Sequence, residues 1–139
     1  MRNERKELKE KILEQMVADY YNSLDKNFEL AKKFIRVTRD GKVDVLFKEE
    51  LGGKEQILLY LIGKIYSKEA ELTSTDCVNN KELAEELGVP DTSLRPWLKD
   101  LRDKNKIVKS KEEKYTCHSI PANLVEKTLK EIDQKIKIN

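Results

Sequence analysis

The sequence predicts a mainly α fold with small β-ribbons, on three observations. Apolar residues recur at helical spacing along six stretches of the 139-residue chain. Two shorter stretches change to a period of two around a turn. Gly88 and Pro90 separate two of the helical stretches by a connection too short for anything but a tight turn.

Residues 3–22 carry Leu8, Ile12, Leu13, Met16, Val17, Tyr20 and Tyr21 near heptad spacing with charges between them, an amphipathic helix of about five turns. It packs either on its own domain or on a second copy. Residues 23–34 form a shorter helix with Leu24, Phe28, Leu30, Ala31 and Phe34 apolar. From Phe34 to Phe47 the period becomes two around Asp40-Gly41. A two-residue turn there would mix polar and apolar side chains on both faces. A three-residue loop, Arg39-Asp40-Gly41 with Gly41 in a bulge, pairs Val37 with Val43, Ile35 with Val45 and Arg36 with Asp44, which gives one apolar and one charged face. That register is expected.

Gly52-Gly53-Lys54 lacks the glycine spacing and the following Ser or Thr of a phosphate loop. Residues 54–68 place Ile57, Leu58, Leu61, Ile62, Ile65 and Tyr66 on a helix, the most apolar of the chain and its expected central post. In residues 80–87, Asn79 or Asn80 can cap a helix whose Leu83, Ala84 and Leu87 share one stripe, and Gly88 stops it. Leu94, Trp97, Leu98 and Leu101 then fall at i, i+3, i+4 and i+7, leaving Ser93, Arg95, Lys99 and Arg102 on the opposite face. Pro96 fits this helix without strain only if Ser93 is its cap and Leu94 its first residue. Ile107-Val108 opens a strand, Lys111-Glu112-Glu113 is its tip, and Lys114 to Ser119 returns. Pro121 leads into a last helix over 122–135, with Leu124, Val125, Leu129, Ile132 and Ile136 as its stripe.

Charged residues make up 39% of the chain and aromatics 6%, a Lys/Glu-rich surface that suits a heat-stable protein with surface ion-pair networks as well as a solvated helical one. The net charge is only +2, so any basic footprint must be local, and the five lysines against two glutamates of 104–114 put it beside the ribbon. No segment has the length of a membrane span or the pattern of a signal peptide, and a cytoplasmic protein is expected. No nucleophile-base pair, paired acid and base, metal set or cofactor cradle is assembled, so neither an enzyme nor a cofactor is expected.

The run NKELAEELGVPDTSLRPWLKDLRDKNKIV resembles the winged helix-turn-helix superfamily of DNA-binding regulators: a polar cap, a helix, a Gly-Val turn, a Ser/Thr-led helix and a Leu-rich end. The resemblance covers the second half of the chain. It implies a winged helix-turn-helix over residues 53–120, with added N-terminal helices and hairpin over 1–52 and a C-terminal helix over 121–139. It implies that the second helix, 93–104, enters the major groove of double-stranded DNA and that the ribbon lies on the backbone. Thr92, Ser93, Arg95, Lys99 and Arg102, with Lys109, Lys111 and Lys114 in the wing, would then be the nucleic-acid-binding residues. It also implies a short strand in 72–78 that pairs with the returning wing strand and brings Cys77 near Cys117.

In a cytosolic chain these two cysteines are expected as reduced, buried thiols. His118 would point to the other face of its strand, so no zinc site is expected from the three. The terminal helices could build a homodimer. The preferred function is DNA binding in transcription regulation. The alternative is a protein-interaction adaptor on the same scaffold, with Trp97, if exposed, as its anchor.

Overall fold

A computed structural model describes residues 2–16 and 20–136. Helix α1 (Arg2–Gln15) is followed by α2 (Tyr20–Lys26), α3 (Phe28–Phe34), the hairpin β1 (Ile35–Val37) and β2 (Val43–Val45), and a 3-10 turn at Lys48–Glu50. Then come α4 (Gly53–Glu69), β3 (Val78–Asn79), α5 (Asn80–Leu87), α6 (Asp91–Asp103), β4 (Val108–Glu112), β5 (Tyr115–Ser119) and α7 (Val125–Ile136). The fold is mainly helical with two small antiparallel sheets, β1-β2 and β3-β5-β4. Among the described residues no helix is long and apolar enough to cross a membrane.

Helix α4 is the post around which the rest packs. Every residue from Ile57 to Ile65 is buried, polar Lys64 included, because the hairpin, α5, α6 and α7 all lie against it. The hairpin has the expected register, Ile35 with Val45, Arg36 with Asp44 and Val37 with Val43. Thr38 N–H donates to Lys42 O, and Gly41 turns the three-residue loop at φ +84°. One buried apolar cluster runs from Leu24 through the hairpin and α4 to Ile132.

Inside that cluster lies a polar knot. Lys64, 4% exposed, donates to Gly41 O at 2.7 Å and to Glu82 Oε2 at 3.0 Å, and Tyr60 OH donates to the same Glu82 oxygen at 2.6 Å. A charge taken this far out of water persists only when paired and hydrogen-bonded. The knot therefore ties the hairpin loop, α4 and the first turn of α5 together.

Several boundaries differ from expectation. The single helix over 3–22 ends at Gln15, and a second begins at Tyr20; the intervening residues 17–19 lie outside the described residues. Of its expected stripe, Leu8, Ile12, Leu13 and Met16 are exposed, Leu8 58% and Met16 78%, so among the described residues no packing on them fixes one continuous register. The helix over 23–34 is divided at Asn27, whose buried side-chain Nδ2 donates to Ser23 O.

Ser93 does not cap α6. Pro90 does, and its carbonyl already accepts from Ser93 N–H and Leu94 N–H, so Pro96 falls in the helix interior. An interior proline removes one hydrogen bond and costs about 3 kcal/mol. Burial of Leu94, Leu98 and Leu101, at roughly 1.5–3 kcal/mol each, outweighs it. In the ribbon the turn is Glu113-Lys114, with Glu113 at φ +53°, so Lys111 belongs to the strand and Lys114 to the turn.

Two further expectations are corrected. Cys77 and Cys117 form a disulfide: the antiparallel register of β3 with β5 sets Cys77 across from Ser119, and so diagonal to Cys117 on the same sheet face, with Cα atoms 5.3 Å apart. The apolar stripe of the C-terminal helix is covered by its own chain. Val125, Leu129 and Ile132 are buried on α3 and α4, and Lys33–Asp133 and Lys135–Glu55 ion pairs, each 2.7 Å, close the rim.

Candidate nucleic-acid interface

Asn79 ends β3 and caps α5, its Oδ1 accepting from Glu82 N–H at 2.8 Å. Gly88, at φ +68°, then turns the chain through the left-handed region that glycine occupies at no steric cost. The buried leucines of α6 turn its other face outward, so Arg95, Lys99 and Arg102, at i, i+4 and i+7, stand in a row. Asn105, at φ +58°, ends that helix and leads into the ribbon.

These pieces enclose a cleft of about 590 Å³ between the start of α5, the outer face of α6 and the inner part of the ribbon. Lys81, Arg95, Lys99, Arg102 and Lys109 line it, together with Asn79, Asn80, Tyr115 and Thr116, and no carboxylate does. Arg95 pairs with Asp91 and Lys99 with Asp103, both one turn away along α6 on the exposed surface. Such pairs are worth a few tenths of a kcal/mol, and a phosphate can displace them. Arg102 has no ion-pair partner among the described residues.

At the floor of the cleft lies His118, 2% exposed. Its Nε2 donates to Asn80 Oδ1 at 2.7 Å, while Nδ1 is buried without a partner. Burial first, and then the positive charges of Arg102 and Lys109, push the ring down to about 4, so it is neutral at pH 7.

The structure brings four of the eight sequence-predicted residues, Arg95, Lys99, Arg102 and Lys109, to this one cleft. Thr92 and Ser93 lie on the first turn of α6 outside its lining, and Lys111 and Lys114 lie farther out along the exposed ribbon. Sequence reasoning missed Lys81, Tyr115 and the two asparagines. Lys81 lies two residues after the cap Asn79, in the first turn of α5, which is the one signal that could have found it. Trp97 is half-buried, and a Cβ on Gly53 would come within 2.5 Å of its ring. No protein-family model matches this sequence, and neither a curated protein nor a solved structure does.

Proposed function

We propose that this chain is a winged helix-turn-helix DNA-binding protein, a transcription regulator that sets α6 in the major groove and the β4-β5 ribbon on the neighbouring backbone. The observation that carries this is the cleft lined by five cations and no carboxylate, formed where a helix, a turn, a second helix and a ribbon meet. Lys81, Arg102 and Lys109 would contact phosphates. Arg95 and Lys99 would reach base edges, with Thr92 and Ser93 at the leading turn, and Lys111 and Lys114 would extend the phosphate track.

Trp97 weighs against the adaptor alternative, because its ring packs on Gly53 and is half-buried, not the exposed anchor that alternative calls for. This reading also implies a cytoplasmic protein. A disulfide in a chain 39% charged accords with a heat-stable intracellular protein, since hyperthermophile proteins combine the two.

Changing Lys99 and Arg102 together to alanine tests the proposal. Both side chains lie outside the core, so circular dichroism should not change. Affinity for duplex DNA should fall and the slope of log affinity against log salt should flatten by about one, the phosphate contact of Arg102. Superimposable isotherms for the two proteins at several salt concentrations would rule out this face as the docking surface.

A further inference from the structure

On the sheet face opposite His118, the disulfide has a third neighbour. The sulfurs of Cys77 and Cys117 and a carboxylate oxygen of Glu112 all lie within 4.8 Å of one another. Glu112 is opposite Tyr115, two residues from Cys117, and therefore shares its face of the ribbon. Among the described residues no cation pairs with it. The Thr75 hydroxyl orients the group from both ends, accepting from Cys77 N–H at 3.0 Å and donating to Glu112 Oε1 at 2.9 Å.

We propose that Cys77, Cys117 and Glu112 form a binding site for a thiophilic divalent cation, zinc above all, in the reduced protein, with the disulfide as the metal-free oxidised form of the same site. Zinc takes sulfur at about 2.3 Å and carboxylate oxygen at about 2.0–2.2 Å in a tetrahedron, which spaces its ligand atoms by about 3.5–3.8 Å. Once the S–S bond opens, the sulfurs can separate to that spacing while the paired strands keep the Cα atoms 5.3 Å apart. Glu112 is exposed, so a fourth position faces solvent and takes water. Thr75 supplies the outer hydrogen bond that fixes a ligating carboxylate.

The chemistry balances. A dithiol reductant gives two electrons and two protons to the Sγ–Sγ bond and itself closes to a disulfide, leaving two thiols. Zinc then displaces both thiol protons to the solvent as the two thiolates and the carboxylate bind it. The metal takes over the strap between the entry to α5 and the ribbon, so the two stay joined in either redox state. This holds whether or not the cleft on the other side binds DNA.

The test uses the full chain, reduced by a dithiol, freed of it without air, and titrated with cobalt(II) and then zinc. Expected are a thiolate-to-cobalt charge-transfer band, the visible bands of tetrahedral cobalt, and their loss with one equivalent of zinc per chain. Cys117→Ser should abolish the charge-transfer band's two-thiolate intensity. Glu112→Gln, at an exposed position, should keep the oxidised fold and weaken cobalt binding by more than about tenfold. If reduction unfolds the chain, zinc should restore its circular dichroism. The proposal is overturned if the reduced chain shows no charge-transfer band, if zinc fails to refold it, if Glu112→Gln binds cobalt as tightly as the parent, or if the metal is found between two chains.

Discussion

His118 is buried with one ring nitrogen bonded to Asn80 and the other unpartnered, so the fold accepts its neutral form and resists its protonated one. The consequence for stability has a definite sign. An unfolded chain takes up the proton as pH falls through about 6.5, whereas the folded ring holds out to about 4. Between those values the unfolded state binds more protons, so stability is complete above the window, falls as pH drops through it, and levels off below. The loss should reach at most about 3 kcal/mol, since each unit of displacement is worth about 1.4. Between neutrality and the lower edge of the window the denaturant midpoint should fall further for the parent than for His118→Gln; parallel profiles would mean that the ring titrates alike in both states. At this scale the cations were legible and the buried polar groups were not. Arg95, Lys99 and Arg102 follow from lying opposite an apolar stripe. Lys64 sits in the most apolar stretch of the chain, and its partners Gly41 and Glu82 come from 23 and 18 residues away. The cysteines were assigned by expected compartment, and strand pairing decided otherwise.

Gly63 shows what decides packing between elements. A glycine in the middle of a helix costs about 1 kcal/mol relative to alanine, yet here the hairpin lies directly on it. A Cβ at this position would come within 2.4 Å of Val43 Cγ1 and 2.9 Å of Ile35 Cγ2. Both neighbours are β-branched and fixed in paired strands, so neither can rotate away. Gly63→Ala should therefore lower stability by about 1–2 kcal/mol net, the overpacking exceeding the gain in helix propensity. A thermal melt reads this directly, and a raised midpoint would show that the hairpin can lift from α4 at no cost. The hairpin register was legible because only one pairing puts Ile35, Val43 and Val45 on one face. The contact with Gly63 was not, since it depends on how closely a strand pair approaches a helix. Nor was the start of α6: capping rules favoured Ser93, but the fixed φ of Pro90 and its free carbonyl closed the first turn three residues earlier.

Across the whole molecule, the post formed by α4 was foreseen from hydropathy alone, while the fate of the two terminal stripes was not. Both read alike in sequence, and only tertiary contact separates them. Helix α7 is used up inside the chain, on α3 and α4. Helix α1 is not: Leu8, Ile12, Leu13 and the following Met16 are all exposed on one short amphipathic segment. An apolar stripe of this kind, uncovered among the described residues, can bury itself against a second copy. If the chain forms a two-fold dimer, the exposed stripe of α1 offers the contact and the buried stripe of α7 does not. Removal of residues 2–16 should convert a dimer to a monomer in sedimentation with little change in thermal midpoint, because the buried cluster begins at Leu24. It should also weaken binding to a two-half-site duplex far more than to a single half-site, since only the former draws on both subunits. A full-length chain that sediments as a monomer, or a truncated one that remains a dimer, would place the interface elsewhere and leave α1 a solvated extension.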